Sequence, residues 1–165
     1  NYTLFYDKLE KANYFLESIL DTLKEPVNGR LISHLLTDPL GDGGQWDMLC
    51  SIIRKYGLVP KDAMPETACS SATREMAGYM TKKLREFACT LRKANESGAS
   101  IDELRMQKEW MYFALIAVNK MFIYASFLRQ LYLAANLRLK YCFILLYIVL
   151  FRNSQLTFSH KQGKI

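Results

Sequence analysis

The residues with the most chemistry to offer stand together at Asp42-Gly43-Gly44-Gln45, directly before an apolar helix that begins at Trp46. Two adjacent glycines carry no Cβ and can take a positive φ, so a second backbone can come close to them. A second chain, such as a substrate in extended form, is one visitor that such a stretch admits. Asp42 and Gln45 flank the pair, and the free amides of a helix N-terminus follow at once. On residues alone the stretch has two meanings: an edge that binds an extended chain, or an ordinary glycine turn that starts a helix.

A thiol nucleophile needs a base beside it and gains from a helix N-terminus that lowers its pKa. None of the four cysteines has that setting. Cys50 falls on the inward stripe of its helix with Trp46 and Ile53, Cys69 in a turn, Cys89 in mid-helix and Cys142 in the C-terminal stretch. They form no C-x-x-C pair, which argues against a zinc module and a secreted disulfide framework and favours reduced thiols in a cytoplasmic protein. His34 sits between apolar neighbours of a short helix and reads as structural; His160 lies near the C-terminus. No metal or cofactor is expected, and no residue is assigned a catalytic role.

The elements that must position the glycine edge follow from periodicity. Residues 3–23 place Leu4, Phe5, Leu9, Ala12, Phe15 and Leu16 on one helical face, with Asp7, Lys8, Glu10 and Lys11 off it. Arg30 to Leu36 predicts a short helix with Leu31, Ile32, Leu35 and Leu36 inward, leading into the loop. The Trp46 helix ends at Gly57, a C-cap. Pro60 keeps Leu58-Val59-Pro60 from becoming a central strand, and Pro65-Glu66-Thr67 turns the chain. Ser70 or Ser71 is expected to cap a long helix carrying Met76, Met80, Leu84, Ala88 and Leu91, which Gly98 ends. Ser100 and Glu103 form a capping box that starts a helix toward Trp110. Trp46 and Trp110 are expected in the core, and Lys82-Lys83-Leu84-Arg85 on a solvated face.

Charge divides the chain. Residues 1–110 hold 15 Lys and Arg against all 16 Asp and Glu, whereas residues 111–165 hold seven Lys and Arg and no acid. The net charge of +6 therefore belongs to the C-terminal stretch. The nearly neutral remainder shows no zinc-finger spacing, RNA-binding signature or basic helix, so no nucleic-acid partner is predicted. Tyr141 to Phe151 is apolar but shorter than the roughly 20 residues a membrane helix needs. Lys120 makes Met111 to Leu128 a poor span, so membrane insertion is not the expectation.

The order of these residues resembles a family. Tyr6-Asp7-Lys8-Leu9-Glu10-Lys11-Ala12-Asn13, Gly29-Arg30-Leu31, Asp42-Gly43-Gly44-Gln45-Trp46-Asp47-Met48-Leu49, Lys55-Tyr56-Gly57-Leu58-Val59-Pro60-Lys61, Pro65-Glu66-Thr67 and Lys83-Leu84-Arg85 are similar to papain-like cysteine peptidases. Among these, the aminopeptidase C and bleomycin hydrolase group is the most similar. The resemblance implies a mostly α piece, part of the helical half of a papain-like α+β fold, spanning residues 1–110. It implies that Gly43 and Gly44, with Asp42 beside them, bind a peptide substrate at the wall of the cleft. It further implies a cytoplasmic thiol aminopeptidase that forms a homo-oligomer, a hexamer, around an internal chamber.

In that family the nucleophilic cysteine lies upstream of the matching stretch, and the histidine and asparagine lie far downstream. The chain is therefore expected to be an internal fragment of a peptidase, inactive alone. Residues 111–165 lack the family's pattern and are expected to be read from another frame or from non-coding sequence. The alternative is a non-catalytic helical interaction or membrane-associated protein that uses the basic apolar tail.

Overall fold

The computed structural model describes residues 1–135, with side-chain surroundings for residues 1–125 other than Cys69. The apolar run Tyr141 to Phe151, Cys142 and His160 lie outside the described residues. Among the described residues the helices are α1 (Tyr2–Asp21), α2 (Arg30–Thr37), α3 (Trp46–Tyr56), α4 (Ala68–Ser71), α5 (Arg74–Glu96) and α6 (Ile101–Ala135), with a 3-10 turn at Lys61–Ala63. No strand occurs among them, in keeping with the helical half of a larger α+β fold.

α1 and α5 meet through their apolar faces. Ala12, Phe15, Leu16 and Ile19 of α1 pack in one cluster with Met76, Met80, Leu84 and Leu91 of α5, all eight no more than 2% exposed. The spacing is that of one helical face in each case, and each buried Leu or Phe stabilises the fold by about 1.5–3 kcal/mol. Leu104, Leu115 and Val118 of α6 close the same cluster, and Leu40 joins it from the loop before α3.

Two arginines of α5 hold the ends of other helices. Arg85 donates from Nε to Leu36 O at 2.9 Å and from Nη2 to Thr37 O at 2.9 Å, at the end of α2. Arg92 donates from Nη1 to Thr22 O at 3.0 Å and from Nη2 to Glu25 O, just past α1. Unpaired carbonyls and the negative end of the helix dipole gather there, so a guanidinium satisfies both. Gly57 (φ 74°) and Gly98 (φ 87°) end α3 and α5 in the left-handed region that glycine enters without strain.

Several sequence expectations meet corrections. Trp46 and Trp110 point outward, at 74% and 75% exposure. On α3, which packs against α1, the buried residue is Ile52, with Leu49, Cys50 and Ile53 half-buried. Leu31 of α2 is exposed while Ile32 is buried. Lys8, expected on the polar face of α1, is wholly buried. Neither Ser70 nor Ser71 caps the long helix, since Ser70 Oγ and Thr67 close a capping box on the short α4, with Thr67 N donating to Ser70 Oγ at 3.0 Å. Thr73 takes the N-cap of α5 instead.

α6 runs through Trp110 without a break. Past that point Leu115, Val118, Asn119 and Ile123 are buried, and Asn119 Nδ2 donates to Phe5 O of α1 at 3.1 Å. The compact unit containing them is Asn1–Ser126, whereas composition changes near 110. Losing acids from the outward face leaves the inward helical period intact.

Candidate functional site

The loop that leaves α2 and enters α3 is fixed by cations of α1 acting on its carbonyls. Lys8 Nζ donates to Leu40 O at 2.7 Å and to Asp42 Oδ1 at 2.7 Å, with Gly41 O at 3.4 Å. Lys11 Nζ donates to Gly41 O at 2.6 Å, Gly43 O at 2.8 Å and Asp7 Oδ2 at 2.9 Å. Lys8 and Lys11 stand one helical turn apart, so both reach the same side of α1. A buried ammonium is tolerated only when its three donors are taken up, and here oxygen atoms surround it.

Asp42 is held from two sides. Besides Lys8, the Thr73 hydroxyl donates to its Oδ2 at 2.9 Å. Thr73 is the N-cap of α5, yet its side chain makes no bond to that helix and goes to the loop carboxylate instead. Hydrogen bonds from Lys8, then from Thr73, hold the Asp42 carboxyl below the usual carboxylate range. Both oxygens are thus engaged inside the chain, although the side chain is 68% exposed.

Gly43 and Gly44 are exposed, and a Cβ built on either would meet nothing within 4 Å. Neither has a positive φ. Nothing in the fold of the described residues therefore demands glycine at these positions, in contrast to Gly57 and Gly98. Among the described residues the Gly44 N–H and C=O have no main-chain partner outside the helices, while the Gly43 carbonyl is taken by Lys11. Gln45 follows as the N-cap of α3, its N–H directed to Met48 Sδ at 3.5 Å.

A second polar cluster ties α3 to α1. Glu10 Oε1 accepts from Lys55 Nζ at 2.8 Å and from the Tyr56 hydroxyl. The Tyr6 and Tyr56 rings stack with centroids 3.9 Å apart, and Tyr2 OH donates to Tyr56 O at 2.7 Å. Partial burial pushes the Glu10 carboxyl up, but the Lys55 and Tyr56 hydrogen bonds outweigh it and the carboxyl lies below its ordinary value. Burial, then the hydrogen bond to Glu10, raises the Tyr56 phenol.

No thiol–imidazole pair forms among the described residues. Cys50 is half-buried in α3, Cys89 is exposed on α5, and His34 is exposed on α2. No group of three or more His, Cys, Asp or Glu among the described residues could hold a metal ion. No described helix is long and apolar enough to cross a membrane. Sequence reasoning singled out Asp42, Gly43 and Gly44 but not Lys8, Lys11 and Thr73, which hold the loop. The available signal was the pair of lysines three apart on α1, which without the loop reads as solvated surface.

Comparison with known proteins identifies the family of the chain. Residues 1–124 match the model of the Peptidase C1-like family, beyond position 110. Aminopeptidase C of Listeria monocytogenes is 57% identical over 94 residues, 57% of this chain and 21% of that protein. Bleomycin hydrolase of Rattus norvegicus is 44% identical over 113 residues, 67% of this chain and 25% of that protein. The crystal structure of PepW from Lactobacillus rhamnosis superposes with a TM-score of 0.70 at 45% identity, over 72% of this chain and 27% of that one. The chain thus spans about a quarter of the length of the relatives it matches.

Proposed function

The chain belongs to the Peptidase C1-like family, and on that premise we propose that Asp42, Gly43 and Gly44 form one wall of the substrate cleft in a cytoplasmic thiol aminopeptidase. The observation that carries the reading is the open space over Gly43 and Gly44, which no packing or backbone strain among the described residues explains. Side chains there would stand where an extended peptide has to lie. The Gly44 N–H and C=O are the pair it would meet, as a strand meets a sheet edge. Asp42 serves this wall from behind, bracing the loop through Lys8 and Thr73.

Removal of amino-terminal residues from peptides fits the names of the relatives, aminopeptidase C and bleomycin hydrolase. The unpaired thiols of Cys50 and Cys89 suit a reducing compartment. Peptide hydrolysis by a thiol needs a cysteine within hydrogen-bond reach of a base, and neither Cys50 nor Cys89 has one. On this reading the described residues supply a substrate wall, and the chain alone is expected not to turn over substrate.

Titration of the 15N-labelled chain with trialanine tests the reading. The amides of Gly43, Gly44 and Gln45 should shift together and saturate, and an aminoacyl fluorogenic substrate should not turn over. Shifts confined to other surfaces would overturn the assignment of the wall. Turnover abolished by a thiol alkylator would overturn the assignment of this chain as non-catalytic.

A further inference from the structure

We infer that Lys8 and Lys11 are positioning residues that set which backbone groups of the glycine edge face an incoming peptide. The inference rests on the reading of Gly43 and Gly44 as a peptide-binding edge and names what holds that edge in register. An extended peptide pairs with one N–H and one C=O of the same residue, on one side of the backbone. Any other carbonyl nearby that stays free offers a competing register one residue away. In this loop the carbonyls one residue to either side of Gly44 are occupied, Gly43 O by Lys11 and Gln45 O by the Met48 N–H at 3.1 Å. Leu40 O accepts from Lys8 at 2.7 Å, and Gly41 O and Gly43 O accept from Lys11 at 2.6 and 2.8 Å. Of the loop's glycine carbonyls, that of Gly44 alone lacks a protein partner among the described residues.

The two lysines differ in a way that makes the inference testable. Lys8 has a fully buried side chain, so its removal disturbs the loop's foundation as well as its register. Lys11 is 13% exposed and touches the loop only through carbonyls, with Asp7 as its ion-pair partner within α1. Its aliphatic stem can be matched by methionine without emptying the core. Loss of the Lys11 ammonium should free the Gly43 carbonyl and leave the α1–α5 packing in place.

The experiment uses the 13C,15N-labelled chain and its Lys11→Met, Lys11→Arg and Lys8→Met variants, first without peptide. In Lys11→Met the Gly43 carbonyl 13C resonance should move while the Gly44 carbonyl and the core methyl signals stay, and Lys11→Arg should restore it. In Lys8→Met the Leu40 carbonyl should move. An unchanged Gly43 carbonyl in Lys11→Met overturns the positioning role. Trialanine is then added. Binding read at the Gly44 amide should weaken about tenfold in Lys11→Met, the loss expected when a preorganised edge must order itself on binding. Equal affinity at the same amide overturns the inference. If the unsubstituted chain shows no response at Gly44, the peptide-edge reading fails, and the peptide-free carbonyl shifts still decide what the lysines do.

Discussion

The α1–α5 interface and the glycine loop are both built on α1, but by opposite physics. The interface uses apolar side chains at helical spacing, each fully removed from water, and its stability grows with buried area. The loop buries little: Leu40 is its apolar anchor, and from there to Gly43 the chain is held by ammonium groups on carbonyl and carboxylate oxygens. Such contacts are directional and hold a backbone at a chosen orientation, which area burial does not do. The interface and the loop are thus held by different forces, with Leu40 as the point where the loop joins the same core.

The comparison breaks most visibly at the interface. Leu84→Ala removes a wholly buried side chain from between α1 and α5 and should cost about 2–5 kcal/mol in urea unfolding. Lys8→Met should cost less, about 1.5–3 kcal/mol, the usual range for hydrogen bonds to a charged group, since Leu40 O loses a donor and Asp42 keeps only Thr73. A loss as large as that of Leu84→Ala would mean that the polar support of the loop matters as much to stability as the apolar interface does.

Acid gives a smaller effect with a defined sign. The Asp42 and Glu10 carboxyls lie below their ordinary values in the folded chain. Their contribution is therefore complete above the unfolded carboxylate pKa, about 4, and is lost as pH falls through the lower folded values. Melting temperature should hold steady from neutrality to about pH 5 and fall below about pH 4. Asp42→Asn should flatten part of that fall.

The interface was legible in the sequence and the loop's support was not. Ala12, Phe15, Leu16 and Ile19, with Met76, Met80, Leu84 and Leu91, announce their faces by period alone. Gly57 and Ser100 with Glu103 announce their caps by local chemistry, and the box is present, Ser100 N donating to Glu103 Oε2 at 2.8 Å. Lys8 and Thr73 could not be read this way. Their partners lie 34 and 31 residues away along the chain, and a lysine at the edge of an apolar face looks the same whether it meets water or a carbonyl. Trp46 and Trp110 failed for a related reason: periodicity assigns a residue to a face but does not say whether any element covers that turn.

The residues proposed for the peptide wall divide in the same manner. Asp42, Gly43 and Gly44 stand out by composition, yet their roles separate only in three dimensions, where Asp42 is bound inward and the glycines face open space.

Gly44→Ala tests the central claim, that glycine at this edge serves an incoming peptide and not the fold. Alanine fits the space and the backbone there, and by restricting the unfolded chain it should leave the melting temperature unchanged or raise stability by about 0.4–1 kcal/mol. The response of the loop amides to trialanine should meanwhile be lost. A melting temperature lowered by several degrees, or a peptide response that survives the substitution, would contradict the claim.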